Sequence, residues 1–275
     1  MSMGRSRLDE TRVLLVVEGE KAEPLFLNAL AATFNIHVQI VPICANLHML
    51  YGKMQELGFD CDVRDALKEL KLSPQQLRRL DKKFAYTYLV FDCDAQHDSP
   101  DKKGTPPRSA EEKFAENMHH LVEMAQYFDN ETDPSKGRLY VNWPMMESYR
   151  DCDSFFDVTY RDRFVPIGEC KFYKEAVGTK KNASLRPRSY GKSRFSSLIK
   201  MNLWKLGLLC RGEWGDMTYD DYINRCSQGW VIAKRQEQLV REEGKVAVLN
   251  TSLFFPVDYF GKSFFKTMET CASDN

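Results

Sequence analysis

Acidic side chains follow three short apolar segments of the sequence, at the points where the segments end. The segments are VLLVV (13–17), YTYLVF (86–91) and RLYVNW (138–143). The acids that follow them are Glu18, Asp92, Asp94 and Glu147. Short apolar runs of this kind are typical of buried parallel strands, and ligands of such sheets bind at the carboxyl ends of the strands. A single acid at a strand end is ordinary loop chemistry, but acids at three strand ends predict a shared site.

The chemistry that suits such a site is the binding of a hard metal ion. Carboxylates gathered at one edge repel one another and stay ionised only beside a cation. Oxygen ligands suit Mg²⁺ or Mn²⁺. Asp92 and Asp94 are two residues apart, and an extended chain would send both side chains to the same face. Gly19 lacks a side chain where the loop after Glu18 must turn close to a phosphate or a metal.

The elements that must position these acids are strands alternating with helices through the first 150 residues or so. This alternation predicts an α/β fold with a mostly parallel sheet of four to five strands and helices on both faces. Ser109 and Glu112 form a capping-box pattern that opens one of the helices. The charged stretch at about 58–84 reads as a helical insertion. Residues 151–275 read as a mainly helical extension, so that 1–150 is the predicted site-bearing domain.

A basic segment lies within this extension, although the whole chain has a net charge of zero. Residues 171–200 contain nine Lys or Arg and one acid, Glu175. Basic segments bind phosphates through counterion release, and aromatic residues such as Tyr190 and Phe195 can stack on bases. The alternative is a solvated surface loop. The predicted nucleic-acid contacts are Lys180, Lys181, Arg186, Arg188, Lys192 and Arg194.

Several classes of protein are disfavoured by composition. The sequence has eight cysteines but no C-x-x-C spacing, which favours reduced thiols over a zinc or thioredoxin motif. It has no apolar run long enough for a membrane span and no apolar secretory signal, so we expect a cytoplasmic protein that does not bind membranes. It also has no Walker-type phosphate loop, so the chain should not hydrolyse ATP alone.

Two motifs carry a resemblance to a known family. VVEGEKAEPLF (16–26) and FDCD (91–94) resemble the Toprim fold, in which a Glu follows the first strand and a D-x-D follows a later one. E-G-E-K-x-E-P is most similar to RloB-like proteins of bacteria, and NWPMMES (142–148) resembles their Asn-Pro-x-x-Glu element. The overcoming-lysogenization-defect nucleases share the fold. The resemblance covers roughly 12–150, and it departs at Ala22, where Thr is common, and at the inserted Trp143.

The resemblance implies a function for the acidic strand ends. Glu18, Asp92 and Asp94 would be the metal-site residues, with Glu147 as a fourth. Toprim nucleases cut phosphodiester bonds with Mg²⁺ or Mn²⁺, so we expect an endonuclease acting on DNA or RNA, tRNA included. A nearby cation should balance the charge on phosphorus, and Lys192 is the predicted residue. The resemblance also implies that the protein is a toxic effector of antiphage defence that acts in abortive infection. An ABC-type ATPase would be its partner, and it could form a homo-oligomer.

Two other functions stay open at this stage. LVFDCDA also resembles the motif of haloacid-dehalogenase-like phosphatases, in which Asp92 would be the nucleophile and Asp94 a general acid. That family normally carries the motif on its first strand, and Glu18 would have no role. A Toprim-like subunit that only docks on a partner and does not catalyse is the second alternative. His97 follows the D-x-D closely and could touch a metal or a phosphate.

Overall fold

The computed structural model describes residues 13–59, 61–98, 106–129, 137–152, 156–180 and 184–271. The first part of the chain alternates strands and helices, as the sequence predicts. Its elements are β1 (Val13–Val17), α1 (Ala22–Thr33), β2 (Val38–Pro42), α2 (Leu47–Glu56), α3 (Val63–Lys68), α4 (Pro74–Leu80), β3 (Tyr86–Asp92), α5 (Ala110–Phe128) and β4 (Arg138–Asn142).

The four strands form one parallel sheet in the order β2-β1-β3-β4. All five residues of β1 are buried, as expected for an interior strand that is covered on both faces. β2 lies on one side of β1, whereas β3 and then β4 lie on the other side of β1. The order therefore reverses between β1 and β3, and in open α/β sheets this switch point is where ligands bind. The predicted α/β class, with a parallel sheet and flanking helices, is confirmed.

Helices cover both faces of the sheet because the direction of the crossovers reverses. α1 buries Phe26, Leu27 and Leu30, and Phe26 stacks on Tyr149 at a ring-centroid distance of 4.3 Å. On the other side, α2 and α5 are joined by a hydrogen bond from the Tyr51 hydroxyl to Glu123. The capping box of α5 is present: Ser109 Oγ accepts from the Glu112 amide at 3.1 Å, and Glu112 Oε2 accepts from the Ser109 amide at 2.7 Å. α3 and α4 occupy the predicted insertion.

The part after β4 is mainly helical, as predicted. Its elements are β5 (Phe164–Pro166), α6 (Tyr173–Gly178), α7 (Lys192–Arg211), α8 (Tyr219–Asp221), α9 (Gly229–Glu243), β6 (Lys245–Ala247), α10 (Phe255–Phe260) and α11 (Lys262–Cys271). β5 and β6 form a separate antiparallel pair. Among the residues with described structure, no helix is long and apolar enough to cross a membrane.

The later part of the chain completes the outer edge of the sheet. Trp143, just beyond β4, forms an antiparallel bridge with Leu249. The buried Asn250 side chain donates to the Met146 carbonyl at 2.8 Å, and the Ser252 amide donates to Asn142 Oδ1 at 3.2 Å. These bonds hold the 3-10 turn Met146–Arg150, which carries Glu147. The predicted boundary at residue 150 stays a prediction, but hydrogen bonds cross it at the site itself.

Candidate functional site

The structure brings together acids from three neighbouring strand ends. Glu18 directly follows β1, Asp92 is the last residue of β3, and Glu147 lies in the turn after β4. Glu18 Oε2 accepts from the Asp92 backbone amide at 3.4 Å. Asp92 Oδ1 accepts from the Met146 backbone amide at 2.7 Å. The loops after β1, β3 and β4 are thus linked through carboxylate oxygens at one edge of the sheet.

The carboxylates are crowded enough to oppose one another's ionisation. Burial, followed by the charge of Asp94, raises the pKa of Glu18 to about 7. Burial, followed by the charges of Glu18, Glu23 and Glu147, raises the pKa of Asp92 well above its usual range. Desolvation and like charges both penalise the ionised form. Ionisation of these carboxylates is therefore unfavourable, and a bound cation would offset their burial and mutual repulsion.

Glu23 belongs to this site, although no role for it is predicted from the sequence. Its side chain is buried at 8% exposure, and burial raises its pKa, with the charge of Glu147 as a further contribution. A Cβ atom on Gly19 would lie 2.7 Å from Glu23 Oε2. Gly19 thus leaves space for a neighbouring carboxylate, where the sequence predicted space for a phosphate or metal. Glu18, Glu23, Asp92 and Glu147 are called the acidic cluster below.

Asp94 lies next to the acidic cluster but does not extend β3. The strand ends at Asp92, and Asp94 has a φ of 42°, so the chain leaves the extended conformation between them. The expectation of an extended chain from Asp92 to Asp94 is therefore wrong. Asp94 Oδ2 accepts from Asn46 Nδ2 at 3.3 Å, and Asp94 Oδ1 accepts from Gln96 Nε2 at 2.9 Å. Glu18 interacts with both aspartates. It accepts a hydrogen bond from the Asp92 amide, and the charge of Asp94 contributes to the raised pKa of Glu18.

The polar residues around Asp94 include the predicted His97. His97 Nδ1 lies 3.9 Å from Asp94 Oδ2 and 3.3 Å from Asn46 Nδ2. Asn46 also caps α2 by accepting from the Met49 amide through its Oδ1. An Asn before a helix predicts a cap, but nothing in the local sequence indicates that its amide nitrogen faces Asp94.

One lysine neutralises part of the acidic cluster. Lys174 Nζ lies 2.7 Å from Glu147 Oε1, and this hydrogen bond raises the pKa of Lys174. The Lys174 side chain is 67% exposed, whereas that of Glu147 is 4% exposed. Lys174 lies within the predicted basic segment but was not among its named residues. The predicted Lys192 is instead the exposed first residue of α7.

The basic segment is only partly available to a ligand. Arg194 is 8% exposed and donates to the Cys152 carbonyl at 2.8 Å, and Lys180 pairs with Asp151. Tyr190 and Phe195, expected to stack on bases, are 7% and 0% exposed. That expectation is wrong, because both rings pack in the core beside Phe26 and Tyr149. Arg186, Arg188 and Lys192 are exposed, and Lys181 lies outside the described residues.

The donor set suits a hard cation in kind. Every candidate ligand in the acidic cluster offers carboxylate oxygen, the preferred ligand of Mg²⁺ and Mn²⁺. Within the described ranges, however, no three His, Cys, Asp or Glu side chains stand in an arrangement that could already hold an ion. The carboxylates are instead hydrogen-bonded to the Met146 amide, Asn46, Gln96 and Lys174. Glu18, Asp92, Asp94 and Glu147 are the residues that would hold a cation.

The fold and the site together define a parallel α/β protein with a crowded acidic cluster at its topological switch point. Comparison with known proteins adds no further identification. Neither protein-family models, nor curated proteins, nor solved structures gave a match to this chain.

We expect the substitution Glu18→Gln to stabilise the metal-free protein above neutral pH. An unfolded glutamate loses its proton near 4.5, whereas folded Glu18 keeps its proton to about 7. The folded state therefore holds more protons in this window, and stability falls as the pH rises through it. Glutamine cannot ionise, so a penalty of about 3 kcal/mol at most should disappear.

Urea unfolding in EDTA at about pH 5 and about pH 8 measures this effect. Wild type should lose stability relative to Glu18→Gln between the two conditions. Glu20→Gln, which changes an exposed neighbour, is the control. If the difference in the free energy of unfolding between wild type and Glu18→Gln is the same at both pH values, the pKa of Glu18 is not raised in the folded protein.

Proposed function

We propose that this protein is a divalent-metal-dependent nuclease that hydrolyses phosphodiester bonds of DNA or RNA, tRNA included. The observation that carries the proposal is the convergence of Glu18, Asp92 and Glu147 from three adjacent strand ends. Buried carboxylates crowded in this way are unfavourable unless a cation compensates them. Their position at the switch point of the sheet is where α/β proteins bind ligands.

A Toprim-like, RloB-like relationship is part of the proposal. Two structural features support it. The acids of the two motifs meet, since Glu18 accepts from the amide of Asp92. The last Glu of E-G-E-K-x-E-P, Glu23, turns back into the acidic cluster, so two acids of this motif contribute to the site. A role as a toxic effector in antiphage defence, control by an ABC-type ATPase and homo-oligomerisation follow from the same relationship.

The acidic cluster, Asp94 and Lys174 have separable tasks in this reaction. Bound Mg²⁺ or Mn²⁺ would supply an acidified water and charge stabilisation at the phosphate. Glu18, Asp92, Asp94 and Glu147 would hold the ion. The Met146 amide fixes one oxygen of Asp92, which keeps that carboxylate in place. Lys174 is an exposed cation beside the cluster, and such a group can pair with the negative charge of a phosphodiester.

The competing functions account for fewer of these contacts. A haloacid-dehalogenase-like phosphatase would use Asp92 as the nucleophile and Asp94 as the general acid, whereas Glu18, Glu23 and Glu147 crowd Asp92. Three of the crowded acids would then have no task. A subunit that only docks on a partner needs no buried, mutually repelling carboxylates.

A cleavage assay tests the proposal. Purified protein is incubated with plasmid DNA, single-stranded DNA and tRNA, in Mg²⁺, in Mn²⁺ and in EDTA, and the ends of the products are sequenced. In parallel, wild type and Glu18→Gln are expressed in bacterial cells and compared for toxicity and for new DNA or RNA ends. We expect metal-dependent cleavage by wild type only. Equal cleavage and equal toxicity by the two proteins, or a beryllium fluoride adduct at Asp92 without cleavage, would overturn the nuclease proposal.

Lys174→Ala should lower cleavage by about 100-fold, because one preorganised charge at a developing anion contributes about that much. Lys192→Ala, at the exposed start of α7, changes the cation that the sequence predicts for this role and should lower cleavage by less than Lys174→Ala does. Single-turnover rates at saturating Mg²⁺ compare the two variants. The assignment of Lys174 fails if its variant cleaves as well as the Lys192 variant.

A further inference from the structure

A pocket of about 380 Å³ opens directly beside the predicted metal residues. Its first wall begins one residue after Asp94 and consists of Ala95, Gln96, His97 and Asp98. Its second wall is formed by Arg108 and the first turns of α5, and its third by Ile167, Gly168 and Lys171. A ligand in this pocket would therefore lie next to the acidic cluster, on the Asp94 side.

The lining of the pocket combines cationic and apolar groups. Its cations are Arg108, Lys113 and Lys171, and its acids are Asp98 and Glu111. Lys113 pairs with Asp98 at 2.6 Å, and Arg108 pairs with Glu116 on α5. These ion pairs hold two of the cations in place at the rim. Arg and Lys side chains placed in this way suit a phosphate or sugar–phosphate group.

The apolar part of the lining suits a planar ring. The larger apolar residues of the lining are Phe114, which is 6% exposed, and Ile167. Ile167 is held there by a hydrogen bond from its amide to the Gly244 carbonyl at 3.0 Å. The third cation, Lys171, comes from the same wall and carries its Nζ 4.8 Å from the centroid of the Phe172 ring. Proteins that bind single-stranded nucleic acids combine cations, which pair with the phosphates, and rings, on which the bases stack.

The size of the pocket restricts what can enter it. Small-molecule sites span about 300–1,000 Å³, so a volume of about 380 Å³ suits a group of the size of one nucleotide. A base inside a duplex is stacked and paired, and it reaches a pocket of this kind only when it is unpaired or flipped out.

From these features we infer that the pocket binds one unpaired nucleotide of the substrate strand, next to the phosphodiester that is cut. This inference rests on the proposed nuclease function and narrows the substrate to single-stranded segments such as overhangs and loops. The nucleotide's phosphate meets the cations of the pocket, and its base lies against the apolar part of the lining.

Gly168 provides a direct test because it lines the pocket and has open space around it. A Cβ built on Gly168 meets no atom within 4 Å, so a side chain can begin there without a clash. Gly178, at the end of α6, has equally open surroundings and is not part of the pocket lining. Gly168→Leu and Gly178→Leu are therefore a matched pair. Lys171→Glu is a second, independent variant that reverses a charge at the rim.

Binding is measured by fluorescence anisotropy with labelled octamers of thymidine (DNA) and uridine (RNA), single-stranded and as duplexes. All proteins carry Glu18→Gln and are kept in EDTA, so that cleavage does not enter. Gly168→Leu and Lys171→Glu should each weaken single-strand binding by about tenfold, whereas Gly178→Leu should not. Excess uridine or thymidine monophosphate should displace the single strand, and duplexes should bind more weakly than single strands.

The inference is overturned if both pocket variants bind like the Gly178→Leu control, or if duplex and single strand bind equally. It is also overturned if the monophosphates bind and the octamers do not, because the pocket then serves a free nucleotide. Failure of the nuclease proposal looks different: the octamers bind as expected, but the protein with native Glu18 does not cleave them in Mg²⁺ or Mn²⁺.

Discussion

Replacing Asp92 with asparagine should lower metal-dependent cleavage by about 1,000-fold. A catalytic ion contributes several kcal/mol to transition-state stabilisation, and each 1.36 kcal/mol is a factor of ten in rate. Asparagine keeps the shape of the side chain and an oxygen that can accept from the Met146 amide, as Asp92 Oδ1 does at 2.7 Å. It removes the negative charge that a cation needs. The rate is measured under single-turnover conditions with the substrate that wild type cleaves best.

Two further measurements separate loss of charge from loss of fold. Unfolding of Asp92→Asn in EDTA should require as much urea as wild type or more, because the change removes one of the mutually repelling acids. Asp81→Asn, at a side chain that is 61% exposed beside Lys68, serves as the control and should cleave normally. A fully folded Asp92→Asn protein that cleaves within about tenfold of wild type would exclude Asp92 from the reaction.

Replacing Asp258 with alanine should lower the free energy of unfolding by about 3–5 kcal/mol, because removing one partner leaves a buried charge uncompensated. The Asp258 side chain, on α10, is 4% exposed and lies 3.2 Å from Arg138 Nε of β4. Its carboxylate also accepts hydrogen bonds from the hydroxyls of Tyr140 and Tyr222. Alanine would leave Arg138 and both phenols without this acceptor.

Equilibrium urea unfolding followed by circular dichroism measures this loss. Asp220→Ala is the matched control, since its carboxylate is 71% exposed and lies 3.7 Å from Lys262. Pairs of that kind contribute less than about 1 kcal/mol. A loss below about 1 kcal/mol for Asp258→Ala would show that the C-terminal helices are not coupled to the sheet in this way. A large loss in one cooperative transition means that residues on both sides of the predicted boundary unfold together.

Local sequence patterns predicted the framework of the molecule and the acidic strand ends. VLLVV and YTYLVF predicted strands with buried centres, and Ser109 with Glu112 predicted the start of α5, because these signals depend on neighbouring residues alone. The meeting of Glu18 and Asp92 followed from parallel strand order, which brings carboxyl ends to one edge.

Other parts of the site depend on packing between distant segments, and no local pattern encodes them. Lys174 reaches Glu147 because α6 packs against the turn that follows β4. The net charge of the basic segment does not indicate which of its cations meets the acids. Phe195 is buried because α7 packs against α1, Tyr190 packs against Phe195, and Arg194 reaches the Cys152 carbonyl. The left-handed backbone of Asp94 is also hidden from the sequence, since aspartate tolerates that conformation without requiring it.

The central claim is that the carboxylates at the sheet edge bind a divalent cation together. Calorimetric titration of Mn²⁺ into metal-free wild type, Glu18→Gln and Asp92→Asn near neutral pH tests it most directly. Glu18, with a pKa raised to about 7, is partly protonated under these conditions, so binding should release a proton and the heat should depend on the buffer. We predict saturable, proton-releasing binding by wild type and none by either variant. Binding of equal strength by all three proteins, or by none, would contradict it.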